Sequence, residues 1–376
     1  MKTLLTVVLW TLLFAGCAHQ PDALPQQARS VGDKVADWQL SHMDRFDYVR
    51  TFQDQTEQGT GWIQAAFYIG LARWADGRDE PRYVSAMFAK AEANDWQLGP
   101  SYWHADDQAI AQMYLSLSGK TGDARIEPVV EAFDRILASP PVNSLEFSGD
   151  DTWQSEGTCQ RRWCWCDALF MAPPAWAMLS SVTGDAKYRD YMLQEYFATR
   201  DYLYDEEAHL FYRDSRFFGQ KTPFGNKVFW SRGNGWVFAG LPLLLEALPE
   251  EHPEREALLQ LYGEMAATFR DIQHEDGYWA SSLLDVQHDP LPEMSGTAFI
   301  TFGLAWGVNH EVLAPDDYAP AVERGWAALA RAVDSEGRAG WVQQVGNAPD
   351  EVRPTDTQLY GSGAILLAAS ELLRWR

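Results

Sequence analysis

Basic residues are scarce in this chain of 376 residues, which has 30 Lys and Arg against 53 Asp and Glu. The resulting net charge of −23 argues against a nucleic-acid partner, because the chain would repel the phosphates. It also disfavours an anionic membrane surface as a partner. An anionic substrate would need a local cation in its binding site.

Several catalytic motifs are also missing. The sequence has no Gly-rich phosphate loop, no GxSxG nucleophile elbow and no HExxH metal helix. His and Cys residues do not recur at the spacings of a zinc site. We therefore expect neither a metal ion nor another cofactor.

Cysteine is rare, with four in the chain. Apart from Cys17, the cysteines are Cys159, Cys164 and Cys166, and an odd number cannot pair completely. Cys164 and Cys166 stand two positions apart, a spacing that rarely permits a good disulfide. We expect buried free thiols, with a disulfide to Cys159 as the alternative.

The N-terminal apolar run, Leu4 to Ala15, is too short to span a bilayer as a permanent helix. It ends in Phe14-Ala15-Gly16-Cys17, which resembles a bacterial lipobox, where the cysteine is lipidated and becomes the mature N-terminus. Phe14 replaces the usual Leu, so cleavage by the ordinary signal peptidase is the alternative.

These features predict a signal peptide over residues 1–16, a tether over 17–30 and one catalytic domain over 31–376. The expected protein is an exported bacterial lipoprotein of the periplasm or outer membrane. Its only expected link to the membrane is a lipid on Cys17.

Sustained period-2 alternation is absent, whereas helical periodicity recurs along the chain. A polar or Gly-rich start leads six times into an apolar helix, which a more charged helix follows. The six starts lie at Gly61-Trp62, Ala105-Asp106-Asp107, Trp165-Cys166-Asp167, Gly233-Asn234-Gly235, Met294-Ser295-Gly296 and Tyr360-Gly361-Ser362.

A helix that is apolar on all sides is buried, so six such helices predict an inner ring within an outer ring. The predicted fold is all-α, an (α/α)6 barrel, and the remaining outer helix comes from about Val31 to Asp44. An open α-solenoid is the alternative. In a barrel the six starts meet at one mouth, where the helix dipoles favour an anionic ligand.

Carboxylates stand at two of these starts. Asp106 and Asp107 open the second inner helix, and Asp167 opens the third between Trp165 and Leu169. For a lone Asp at a helix start, the ordinary role is an N-cap. An apolar setting and a second carboxylate would instead keep an acid protonated near neutral pH, as a general acid requires. We therefore predict that Asp167 is the catalytic acid.

The fourth start carries Arg232, whose planar guanidinium can hold a carboxylate with two parallel hydrogen bonds. Gly233 and Gly235 would let backbone and ligand approach closely, and Trp236 would stack on a sugar ring. The alternative is a Gly-rich turn with a salt-bridged arginine. Further candidate substrate contacts are Trp62, Asp106, Trp165, His209 and Tyr360.

Two long stretches carry a family resemblance. The segments from Trp165 to Pro174 and from Trp230 to Trp236 resemble signature stretches of the unsaturated rhamnogalacturonyl hydrolases, glycoside hydrolase family 105. So do Asp276 to Trp279 and Pro292 to Thr297. The similarity runs from about residue 31 to the C-terminus, and the unsaturated glucuronyl hydrolases are related.

The resemblance implies an (α/α)6 barrel and a metal-independent hydrolase of polysaccharide-lyase products. Such an enzyme hydrates the double bond of a terminal unsaturated uronic acid, and the hemiketal then collapses to release the sugar. Asp167 matches the general acid/base and Asp107 best matches the second carboxylate, with Asp106 as the alternative register. Glu156 stands near a place where some members have His.

The resemblance also places Arg232 and Trp236 at substrate-binding positions and Trp165 at an aromatic wall. Pectin rhamnogalacturonan, the algal polymer ulvan and arabinogalactan all yield suitable ends. Two rival functions are a non-catalytic sugar-binding lipoprotein and an (α/α)6 glycosidase acting on saturated substrates. Seventeen Trp suit either sugar stacking or a Trp-rich helical core.

Overall fold

The protein is described by a computed structural model over residues 23–120, 125–139, 142–147 and 158–375. The predicted signal peptide, the predicted lipobox at Cys17 and Glu156 lie outside the described residues. In chain order, the helices are α1 (Ala23–Ser41), α2 (Gln53–Thr56), α3 (Trp62–Ala75), α4 (Pro81–Ala93), α5 (Ala105–Gln108), α6 (Ala111–Ser118), α7 (Glu127–Leu137), α8 (Ala168–Met171), α9 (Pro173–Thr183), α10 (Ala186–Leu203), α11 (Ser231–Ala247), α12 (Arg255–Ile272), α13 (Met294–Asn309), α14 (Pro315–Ala332) and α15 (Leu359–Leu372).

Two concentric layers of helices form an (α/α)6 barrel. The inner layer consists of α3, α5 with α6, α8 with α9, α11, α13 and α15, and the outer layer of α1, α4, α7, α10, α12 and α14. Every residue of α15 is buried, whereas the outer α14 buries one face, which includes Val322 and Trp326. An inner helix is apolar all round because it touches neighbours on every side.

The inner ring is closed. Each inner helix packs on the next, and α15 packs on α3 as well as on α13. At this seam Gly70 and Gly363 bring the two backbones into contact, and a Cβ on either residue would collide with the facing main chain. Closure excludes the open solenoid and confirms the predicted barrel.

Short elements connect the helices. Two strands, β1 (Tyr204–Asp205) and β2 (Leu210–Phe211), form an antiparallel hairpin after α10. Among the described residues, 3-10 turns cover Cys159–Arg162, Ser215–Phe217 and Leu283–Asp285. No helix within the described ranges is both long and apolar enough to cross a membrane.

The first outer helix differs from its prediction. It begins at Ala23 and ends at Ser41, rather than running from about Val31 to Asp44. Residues 23–30 are therefore helical rather than a tether, and the side chain of Ala28 is packed in the core.

The expectation of free thiols is wrong for two of the three cysteines. Cys159 and Cys164 form a disulfide with Cα atoms 5.6 Å apart, and Cys166 is a buried free thiol. The alternative pairing to Cys159 is thus the observed one. The two paired cysteines are five positions apart and lie just before Asp167 in the chain.

Candidate active site

A cavity of about 210 Å³ opens where the inner helices begin. It lies at the predicted mouth, so the starts of α3, α5, α8 and α11 contribute side chains to one site. The lining residues are Gln55, Trp62, His104, Asp106, Phe147, Gln160, Trp165, Asp167, Met171, Arg213, Trp230, Arg232, Val345 and Gly346.

Asp167 occupies the N-cap position of α8, yet its carboxylate makes no capping hydrogen bond. It faces the cavity, where its Oδ2 accepts a hydrogen bond from the Cys166 thiol at 3.4 Å and lies 3.5 Å from Nε of Arg213. The ordinary N-cap interpretation of this residue is therefore wrong. Its carboxylate is directed at the pocket instead of at the helix backbone.

The carboxylate next to Asp167 in the pocket is Asp106 rather than Asp107. His104 caps α5 by accepting the Asp106 N–H on Nδ1, and this turn directs the Asp106 side chain into the cavity. Asp107 points away and accepts the Ser101 N–H at 2.8 Å, against Gly99. The sequence favours Asp107 as the second carboxylate of the site, and the structure corrects this to Asp106, one residue earlier.

Protonation differs among these acids. Burial, the neighbouring charge of Asp167 and that of Asp107 raise the pKa of Asp106 to about 8, against a smaller opposing effect of Arg213. Burial raises the pKa of Asp107 to about 6. Asp106 therefore carries a proton at neutral pH, next to the carboxyl group of Asp167.

His104 is neutral at the same pH. Burial and the charge of Arg213 lower its pKa to about 3. Its ring lies 4.7 Å from that of Trp165, so it serves as a packed wall and an uncharged helix cap.

Arg232 is almost fully buried, and its guanidinium lies between the rings of Trp230 and Tyr360. It donates to the backbone carbonyls of Gln343 at 2.7 Å and Gln344 at 2.9 Å. Within the described residues no carboxylate lies within 4.0 Å of it. Its charge is thus held at the cavity by neutral partners, so the alternative of a salt-bridged arginine is wrong.

Some predicted contacts lie behind the pocket rather than in it. Trp62 and Trp165 line the cavity, whereas Trp236 is buried against Phe299 and does not line it. The ring of Tyr360 stacks beneath Trp62 at 5.3 Å, with its hydroxyl donating to the Gln343 carbonyl. Trp236 and Tyr360 therefore support the lining residues, which corrects their assignment as direct substrate contacts.

His209 is remote from the cavity. It sits at the tip of the β1–β2 hairpin, where Nδ1 contacts the Tyr204 hydroxyl at 3.0 Å and lies 3.6 Å from Glu264. The glycines after Arg232 also act differently from the prediction. A Cβ on Gly235 would meet Gly296 of α13, so this residue permits close helix packing rather than close ligand approach.

Sequence reasoning missed Arg213 and five other lining residues, which are Gln55, Phe147, Gln160, Val345 and Gly346. None of these residues lies at the start of an inner helix. The one signal for Arg213 was an Arg-Asp pair in an aromatic segment of a very acidic chain. No group of three or more His, Cys, Asp or Glu side chains across the described ranges is arranged to hold a metal ion.

An (α/α)6 barrel with two carboxyl groups, buried guanidinium groups and aromatic walls at its mouth defines a carbohydrate-active enzyme. The family model for Glycosyl Hydrolase Family 88 matches residues 31–376, and the chain belongs to that family. It is a glycoside hydrolase.

Named relatives agree with this assignment. An Alteromonas sp. (strain LOR) protein named "Unsaturated 3S-rhamnoglycuronyl hydrolase" is 46% identical over 360 residues, which cover 94% of this chain and 87% of the relative. A Formosa agariphila protein of the same name is 38% identical, with 84% and 85% covered. The solved structure of a Bacteroides vulgatus family 88 glycosyl hydrolase has a TM-score of 0.80 and 27% identity, over 94% of this chain and 99% of that one.

Proposed function

We propose that this hydrolase removes a 4,5-unsaturated uronic acid from the non-reducing end of oligosaccharides that polysaccharide lyases produce. The observation that carries the proposal is the Asp167–Asp106 pair, which shares a small cavity with Arg232, a buried cation lacking a carboxylate partner among the described residues. Arg232 supplies the local cation that an anionic substrate needs in a protein of net charge −23.

The reaction is a hydration of the vinyl ether. Asp167 delivers a proton to carbon 4, and its carboxylate then takes a proton from the water that adds to carbon 5. The carbon 5 hemiketal opens by breaking its bond to the ring oxygen, and the hemiacetal left at carbon 1 releases the neighbouring sugar. Asp106, protonated at neutral pH, supplies the proton that the pair shares at rest.

The neighbouring sugar is rhamnose in this proposal. Its support is the name of the two relatives, "Unsaturated 3S-rhamnoglycuronyl hydrolase", at 46% and 38% identity. That name favours ends from the sulfated algal polymer ulvan over pectin rhamnogalacturonan and arabinogalactan. A panel of lyase digests of the three polymers tests the choice, and equal rates on all three would contradict it.

The activity itself is tested with one lyase-generated oligosaccharide and its saturated counterpart. The enzyme should abolish the ultraviolet band of the conjugated vinyl ether and leave the saturated sugar intact. A persistent band would indicate a sugar-binding protein, and cleavage of the saturated substrate would indicate an ordinary glycosidase. A rising band would indicate a lyase.

We also propose export and lipidation at Cys17, because Ala15-Gly16-Cys17 follows a short apolar run. Ala18 rather than Asp follows the cysteine, which suits transfer to the outer membrane. The Cys17→Ser variant should move from the membrane fraction to the soluble fraction. Unchanged membrane association of that variant would refute lipid anchoring.

A further inference from the structure

We propose that Arg213 is the positioning residue of Asp167: its backbone and its guanidinium together fix the carboxylate and stabilise the negative charge that appears there when the proton leaves for carbon 4. The inference rests on the proposed function for the proton step alone. The contacts between Arg213 and the Asp167 segment are features of the fold and do not depend on the proposed function.

Arg213 holds the Asp167 segment at two points. Its carbonyl accepts the Cys166 N–H at 2.8 Å, immediately before Asp167 in the chain. Its side-chain Nε lies 3.5 Å from Asp167 Oδ2. Two contacts from one residue fix both the backbone and the side chain of the acid, which is what orientation of a catalytic group requires.

The guanidinium is itself held from behind. Its Nη1 donates at 2.7 Å to Asp214, a fully buried carboxylate. Arg216 donates to the same carboxylate through Nε and Nη2, both at 2.8 Å. Asp214 thus anchors Arg213 without approaching the cavity, and the positive charge is kept at the pocket.

Nε of Arg213 is buried and makes no hydrogen bond in the structure. At 3.5 Å it is charge-paired with Asp167 but slightly too far for a good hydrogen bond. A small rotation of the Asp167 carboxylate would complete that bond. Since charge-assisted hydrogen bonds strengthen as charge develops, the bond would favour the step in which Asp167 loses its proton.

Asp167 and Asp106 have different roles because their surroundings differ. The cation is paired with Asp167, while the neighbouring acid holds the resting proton. The charged or titratable groups that face the Asp167 carboxylate or share its cavity are Cys166, Arg213, Asp106, His104 and Arg232, with Asp214 behind Arg213. Cys166 stays a neutral thiol, because burial raises its pKa well above the ordinary range.

The test compares Arg213→Gln, Arg213→Lys and a matched control, Arg216→Gln. Arg216 shares the Asp214 partner and the same loop, but it has neither a hydrogen bond nor an ion pair to Asp167. Each variant is assayed by loss of the ultraviolet band across pH. Arg213→Gln should lower kcat on the order of 10- to 100-fold with KM little changed, the usual cost of losing an orienting partner.

The pH profile separates this role from simple structural support. Removing a cation from beside an acid favours the protonated form of that acid, so the alkaline limb of the Arg213→Gln profile, where a general acid loses its proton, should move to higher pH. Arg213→Lys should restore most of that limb, and Arg216→Gln should leave it in place. An unmoved limb in Arg213→Gln, or an equal shift in Arg216→Gln, would overturn the proposal.

A thermal double-mutant cycle of Arg213→Gln and Asp167→Asn needs no substrate. The double variant should lose less melting temperature than the sum of the two single variants, because the second change removes an interaction already lost. Additive losses would overturn the proposal, and if Arg213→Gln fails to fold, Arg213→Lys takes its place in the cycle. A wild-type protein inert on every unsaturated substrate would refute the proposed function while leaving this cycle decisive.

Discussion

Asp106 gives the site its expected dependence on pH. Burial and the charge of Asp167 raise its pKa from 3.8 in the unfolded reference to about 8. An acid whose folded pKa is raised stabilises the fold fully below its unfolded pKa, and that contribution is lost as pH rises through the folded value. Replacement by Asn removes this dependence.

The prediction compares Asp106→Asn with wild type by thermal unfolding between pH 4 and 9. The melting temperature of the variant relative to wild type should increase steadily from pH 4 to about 8 and then level off. A difference that stays constant over this range would show that Asp106 is not buried with its proton.

We expect substrate binding by Arg232 to depend on the shape of its guanidinium group as well as on its charge. Lysine keeps the charge but lacks the planar fork by which the guanidinium can donate to both backbone carbonyls and present further N–H groups to a carboxylate. We expect Arg232→Lys to lose on the order of 1.5–3 kcal/mol of transition-state stabilisation in kcat/KM. Arg338→Lys is the control, because Arg338 also donates to two carbonyls, those of Tyr48 and Thr355, without lining the cavity. Similar losses in both variants would remove Arg232 from the substrate site.

Side-chain direction is what the sequence left undetermined at this scale. Asp106 and Asp107 are adjacent at one helix start, and the His104 cap decides which of them enters the pocket. Trp236 and Tyr360 stand at correctly predicted helix starts but turn into the core. Adjacent positions on a helix point about 100° apart, so an error of one residue replaces a lining side chain by a buried one.

At the scale of elements, the sequence predicts the helices far better than it predicts the directions of single side chains. All six inner-helix starts fall within a few residues of the observed ones, because an all-apolar helix after a polar start leaves a clear pattern in the sequence. The predicted start of the first outer helix is too late, because half of its residues before Val31 are polar and only Ala28 is deeply buried there. The Cys159–Cys164 pairing depends on a 3-10 turn, which has no periodic pattern in the sequence that would predict it.

Adding a side-chain atom at the seam between α3 and α15 should destabilise the fold. Gly363→Ala would place a methyl group against the backbone of Ala66 and Phe67, and we expect a loss of about 1–3 kcal/mol from overpacking. Gly263→Ala in α12 is the matched control, because a Cβ there meets no atom within 4 Å. That control should stabilise the protein by roughly 0.5–1 kcal/mol through helix propensity.

Urea unfolding measures both glycine variants. Opposite signs of the change in unfolding free energy support a closed ring whose seam depends on small residues. A neutral Gly363→Ala variant would contradict the close approach of α3 and α15.

At the scale of the whole molecule, the net charge of −23 opposes the approach of an anionic substrate. Screening extends over about 30 Å at 0.01 M salt but only about 8 Å at 0.15 M, so salt should relieve the repulsion while the buried Arg232 contact persists. We predict that kcat/KM rises between these two concentrations with kcat nearly constant. A steady decline of kcat/KM with salt would mean that local positive potential dominates the encounter.

The starts of four inner helices contribute side chains to the cavity that holds Asp167, so the central claim is the catalytic role of that side chain. The most direct measurement is the initial rate at which Asp167→Asn removes the ultraviolet band of a lyase-generated oligosaccharide, compared with wild type under the same conditions. The near-isosteric amide should preserve the fold and substrate binding, yet the rate should fall by roughly 10²- to 10⁴-fold, the contribution of a general acid/base. Retention of more than about a tenth of the wild-type rate, well short of that expected loss, would contradict the account and place the proton donor elsewhere in the pocket.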